Sequence, residues 1–128
     1  LCRQVYRVLK PGGVFLLTRE HVVNKQEDLS VFYDTHPLHA LYQGEYAYSL
    51  GRYKKALTCT GLSIRKTFAP YDSNINLFPT NQNELRKRIG NKSKVNIPQK
   101  LFEYLIIPLL NLRDKSPGRL YSFFGCKS

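Results

Sequence analysis

Three histidines hold most of the chemistry this sequence could offer. His21 follows an apolar run at residues 14–18, with Arg19 and Glu20 beside it. Such a run reads as a strand covered on both faces, and ligands of open α/β sheets bind beyond the carboxyl ends of the strands. Arg19, Glu20 and His21 are accordingly the first candidate site residues. Histidine titrates in solution at about pH 6.5, which suits His21 to take a proton from an oxygen or nitrogen nucleophile as a general base. The plainer reading is a hydrogen-bonded histidine at a strand end. His36 and His39 are three apart, on one face if the segment is helical. A metal site needs more ligands, and no Cys or carboxylate is suitably spaced, so no metal is expected. Beside Tyr42, Tyr46 and Tyr48, these two histidines read as substrate contacts or as aromatics packing a lid onto the sheet.

The elements that must position these residues follow from local pattern. Leu1, Val5, Val8 and Leu9 have helical spacing with no cap before them, so the chain reads as opening inside a helix, its beginning cut. Pro11 and the pair Gly12 and Gly13 stop that helix at Lys10 and turn into the strand. Residues 24–48 lose regularity and read as a lid-like insertion. Ser49 caps a second helix carrying Leu50, Tyr53 and Leu57, which Gly61 ends. Residues 62–69 alternate as a strand, 70–74 form a turn, and 75–78 read as a further short strand pairing antiparallel with it.

Beyond Pro79 the character changes to a basic, mainly helical C-terminal extension, residues 80–128. Asn81 and Glu84 resemble a capping box, residues 90–93 a loop, and Pro98 the start of another helix. There Leu101, Leu105, Leu109 and Leu112 form one stripe, with a kink expected at Pro108 and too short a run to span a bilayer; it suits lying on a membrane surface, and equally packing against the missing half of the domain or a partner subunit.

The 128 residues suit one domain, and 42% apolar with 12% aromatic content suits a packed core. The net charge of +11 is uneven: residues 1–80 hold ten Lys and Arg against six Asp and Glu, and residues 81–128 hold ten against three. Such a tail either attracts nucleic acid or an anionic membrane surface, or is a solubilising face. Lys54 and Lys55, and Arg86, Lys87 and Arg88, are the corresponding phosphate candidates. Cys2, Cys59 and Cys126 lack the paired spacing of a zinc or redox motif and read as reduced thiols. With no secretory signal pattern, a cytoplasmic location is expected.

The run Arg7, Val8, Leu9, Lys10, Pro11, Gly12, Gly13, then Val14, Phe15, Leu16 and Leu17, resembles the helix, turn and strand entering the fifth strand of class I S-adenosylmethionine-dependent methyltransferases, of the type 11-like group. In that family a variable substrate segment follows, then a helix ending in Gly-Leu, as at Gly61 and Leu62, and two closing antiparallel strands. The resemblance covers residues 1–79. It implies the C-terminal half of a Rossmann-like, three-layer α/β sandwich: the last parallel strand plus closing strands, with residues 24–48 as the lid. It also implies transfer of a methyl group from S-adenosylmethionine to an unidentified acceptor, by in-line displacement. The family's cofactor site, a Gly-rich strand-to-helix turn and an acidic residue after the next strand, has no counterpart here, so the cofactor needs the N-terminal half. Gly12 and Gly13 precede a strand and cannot replace that turn. Without that half the strand from Val14 has an open edge, and self-association or docking of the missing half is expected. The alternative is a non-enzymatic basic module for nucleic acid or an acidic membrane surface.

Overall fold

The computed structural model describes residues 1–42 and 46–128. Part of the expected lid, residues 43–45, therefore lies outside the described residues. The chain runs α1 (Cys2–Val8), β1 (Val14–Val22), α2 (Asp28–Thr35), α3 (Pro37–Tyr42), α4 (Leu50–Thr58), β2 (Leu62–Phe68), α5 (Asn74–Leu77), α6 (Gln82–Ser93), α7 (Gln99–Leu101), a π-helical turn (Phe102–Ile106), α8 (Ile107–Arg113) and β3 (Arg119–Lys127). Among the described residues the strands form one sheet, ordered β1-β3-β2, with β3 antiparallel to both neighbours. β1 and β2 thus run parallel to each other, and the chain is a mixed α/β fold around a three-stranded antiparallel sheet.

Local signals placed the entrance correctly. α1 ends at Val8, Gly12 adopts φ +73° in the turn, and Gly12 N–H donates to the Lys127 carbonyl, tying the start of β1 to the end of β3. Ser49 caps α4 by accepting from Arg52 N–H, and Asn81 caps α6 by accepting from Glu84 N–H.

The second closing strand differs from expectation. Ser73 accepts from Asn76 N–H and starts a helical turn, so residues 75–78 are not a strand. The strand that closes the sheet is β3, inside the stretch expected as a mainly helical extension, and it is the central one. Residues 90–93, expected as a loop, continue α6, which ends at Lys94 in the left-handed region, φ +55°.

One face of the sheet carries Phe15, Leu17, Val22, Leu62, Ile64, Tyr121 and Phe123, packed under Val5 and Tyr6 of α1 and Leu50, Tyr53 and Leu57 of α4. Val22 and Phe123 are fully buried. The opposite face is open where Leu16, Phe68, Ile75, Ser122 and Phe124 line an apolar hollow of about 150 Å³. β1 pairs with β3 on one side; on the other, a parallel bridge joins Val22 to Tyr48. A third cluster joins Ile97, Phe102 and Ile107 to Tyr71, Leu85 and Ile89.

Candidate functional site

The site is made by an irregularity in β1. Leu17 pairs with Phe123 and Glu20 with Tyr121, so Thr18 and Arg19 together face the single residue Ser122. This is a β-bulge, which inserts one residue and re-aims those after it. In an unbroken pleat Phe15, Leu17 and His21 would share a face. The bulge instead sends Glu20 and Val22 to the face of α1 and α4, and turns His21 to the other side.

Arg19, at φ +59°, takes the left-handed conformation that the bulge requires. Its N–H donates to Ser122 Oγ, 3.1 Å, and the Ser122 hydroxyl donates to Asn76 Oδ1. Asn76 Nδ2 donates in turn to the Phe68 and Ala69 carbonyls, at 3.1 and 2.9 Å. Ser122 and Asn76 are buried, so this satisfied network fixes the bulge to β3, α5 and the end of β2.

His21 is held at both ring nitrogens. Nδ1 lies 2.8 Å from the Gly118 carbonyl and Nε2 lies 3.1 Å from His36 Nε2. His36 Nδ1 lies 3.3 Å from the backbone N–H of His39. A carbonyl only accepts, so His21 Nδ1 carries its proton; a backbone N–H only donates, so His36 Nδ1 is bare. For neutral rings His36 Nε2–H must then donate to His21 Nε2, and these three contacts are satisfied with one set of tautomers.

Gly118 sits at φ +77°, its N–H donates to the Val22 carbonyl, and a Cβ there would lie 2.5 Å from the Phe32 ring. Glycine is thus required both for the turn into β3 and for Phe32 to approach. Phe32, buried on α2, contacts the rings of His21 and His36 at centroid distances of 5.0 and 4.9 Å, and Tyr33 stacks on His39 at 4.1 Å.

The candidate residues therefore separate. His21, His36 and His39 come together. Arg19 lies elsewhere, its guanidinium 5.5 Å from the Phe78 ring centre. Tyr46 and Tyr48 line an open pocket of about 470 Å³ with Tyr33, Arg52 and Lys25, beside the cluster of Val23, Phe32 and Ala47 but not lined by the histidines. Tyr42 is exposed on α3. Phe32, Tyr33, Tyr53 and Gly118 were missed as site residues; the Phe and Tyr beside the histidines on α2 were the available signal, whereas nothing local marks Gly118. Among the described residues no three His, Cys, Asp or Glu side chains are grouped to hold a metal ion.

Glu20 meets Tyr53 on the α4 side. Burial raises the Tyr53 phenol far above its ordinary value, and the Glu20 carboxylate beside it adds to the rise; its hydroxyl donates to the His21 carbonyl at 3.1 Å. Burial and Asp114 raise Tyr71 in the same direction. A phenol that keeps its proton in the folded state contributes stability fully below the unfolded value of about 10 and loses it as pH rises beyond. Wild type is therefore expected to lose stability above about pH 10 more steeply than Tyr53→Phe. Denaturant midpoints for both proteins across that range check this, and parallel pH profiles would contradict it.

The residues present do not form the cofactor site that the sequence resemblance implies. The strand-to-helix turns at residues 23–27 and 69–73 contain no glycine, and Glu20 faces Tyr53 instead of an open crevice. Gly12 and Gly13 are bound to the end of β3.

No protein-family model matches the chain, and no curated protein does. Among solved structures it is similar to a proposed sarcosine dimethylglycine methyltransferase from Galdieria sulphuraria, with 16% identity, a TM-score of 0.48, and coverage of 99% of this chain and 46% of that one. It is also similar to a proposed methyltransferase from Bacillus halodurans C-125, with 23% identity, a TM-score of 0.40, and coverage of 97% and 52%. The chain spans about half the length of each of these methyltransferase structures.

Proposed function

We propose that this chain supplies the acceptor side of a methyltransferase, with His21 as the base that takes the acceptor's proton. The observation that carries the reading is the bulge that turns His21 out of the helix-covered core and fixes its tautomer on the Gly118 carbonyl. The sequence resemblance through residues 7–17 and 61–62 supports the reaction class.

In the described state His36 occupies His21 Nε2. An oxygen or nitrogen acceptor reaches that lone pair when α2 and α3 carry His36 aside, exchanging one hydrogen bond for another. The Gly118 carbonyl then stabilises the proton on Nδ1 as the ring becomes cationic. An acceptor long enough to extend past the histidines would meet the open aromatic pocket of Tyr33, Tyr46 and Tyr48, which the histidines do not line.

The cofactor, S-adenosylmethionine in this reading, is held by residues outside this chain. The chain alone is expected to bind it more weakly than a dissociation constant of about 10 μM, which corresponds to about −7 kcal/mol. Calorimetric titration of the 128-residue chain with S-adenosylmethionine tests this division of labour. A dissociation constant at or below that value would show that these residues hold the cofactor and overturn it.

A further inference from the structure

The helical segment from Gln99 to Arg113 is apolar on two sides. Its inner side is Phe102, Ile106 and Ile107, packed against Tyr71, Leu85, Ile89 and Ile97. Its outer side is Leu101, Tyr104, Leu105, Leu109 and Leu112, between 44% and 81% exposed. A helix apolar all round belongs in a core or against lipid, and this one has a core on one side only.

The π-helical turn makes the outer stripe continuous. Pro108 has no N–H, and in an α-helix its ring would meet the Tyr104 carbonyl. The widened turn just before it, in which Ile107 N–H donates to the Phe102 carbonyl, relieves that conflict. Residues four apart drift by about 40° per step around an α-helix. The wider turn takes back part of the drift and keeps Leu101, Leu105 and Leu109 in one line.

We infer that this face lies in the plane of an anionic lipid surface, with the leucines and the Tyr104 ring entering the headgroup boundary and Lys100, Arg113 and Lys115 meeting lipid phosphates and carboxylates. Charge selects this occupant. The segment with the two residues after it holds Lys100, Arg113 and Lys115 against Glu103 and Asp114, and residues 81–128 as a whole carry ten cationic side chains against three acidic ones, so a negatively charged bilayer is attracted. A second copy, bearing the same +11, is repelled. Among the described residues no helix is long and apolar enough to cross a membrane, so the contact is in-plane. Lys100 and Arg113 are exposed at the two ends of the segment, where their stems can run along the apolar face to the headgroups. The inference stands apart from methyl transfer and does not require it.

The sequence has no tryptophan, so Leu105→Trp gives a single fluorescent reporter on the stripe. Vesicles of phosphatidylcholine with about 30 mol% phosphatidylserine should shift its emission to the blue, and phosphatidylcholine alone should not. In co-sedimentation the unmodified chain should bind the anionic vesicles at least about tenfold better than Leu105→Glu/Leu109→Glu, and lose most of that binding at about 0.5 M salt. Both leucines are exposed, so circular dichroism of the double variant should match wild type; Lys100→Glu/Arg113→Glu, which leaves the apolar face intact, should also weaken binding. An emission spectrum unchanged by anionic vesicles, or equal binding by the leucine variant, overturns the inference. So does sedimentation showing a dimer that Leu105→Glu/Leu109→Glu turns into a monomer, or loss of vesicle binding once the chain is joined to a cofactor-binding half, because the stripe then belongs to a second copy or to that half.

Discussion

Gly125→Ala is expected to destabilise the chain by about 3 kcal/mol, the upper end for inserting a methyl group into a packed interior, and to lower the unfolding temperature by about 10 °C. Gly125 lies in β3, paired with Phe15 on one side and Ile64 on the other. An added methyl carbon would stand 2.2 Å from the Ser63 carbonyl oxygen and 2.7 Å from the Phe15 ring. The Ser63 carbonyl is backbone and cannot rotate aside as the Phe15 ring can, so β2 must move off β3. The sheet joins both ends of the chain, and a domain of this size holds only about 5–15 kcal/mol in total. Gly51 is the control: it lies in α4 with open space around its Cα, and Gly51→Ala should stabilise by about 0.5–1 kcal/mol. Thermal unfolding of the two variants checks the pair, and equal midpoints would show that the β2 and β3 backbones are further apart than described.

What the sequence disclosed was what neighbouring residues decide among themselves. The turn at Pro11, Gly12 and Gly13, the Ser49 and Asn81 caps, and the strands at β1 and β2 follow from local sterics and hydrogen bonding. β3 was hidden because its position between β1 and β2 comes from pairing with residues about 100 and 60 positions earlier, and nothing in its own run signals those partners. The turn before α5 misled for a similar reason. Ile75 and Leu77 look like strand residues, but Ser73 accepts from Asn76 N–H and the Asn76 side chain donates to the end of β2. The leucine stripe is legible by its period, whereas the direction it faces depends on Phe102, Ile106 and Ile107 winning the inner contacts, which no local signal announces.

The site shows the same division. That His21 stands at the end of β1, and that His36 and His39 lie in the segment that follows, is legible from strand and lid reasoning. The bulge could not be seen, because it is set by Ser122 and Asn76 far along the chain. Three consecutive candidates, Arg19, Glu20 and His21, consequently point to three different places, and only His21 joins the other histidines.

His21→Ala should therefore be the most damaging single change to activity in a polypeptide that joins this chain to a cofactor-binding half. Removing a general base costs about 100-fold or more in turnover. His36→Ala removes the group that covers His21 Nε2, with its contacts to His39 and Phe32, but leaves the base on its Gly118 support, so its cost to turnover should be far smaller. The most direct test is the turnover of labelled methyl transfer from S-adenosylmethionine, measured for wild type, His21→Ala and His36→Ala with cofactor affinity determined in parallel. The expected result is a loss of about 100-fold confined to His21→Ala, with cofactor affinity unchanged in all three. Near-normal turnover in His21→Ala, or an equal loss in both variants, would contradict His21 as the base.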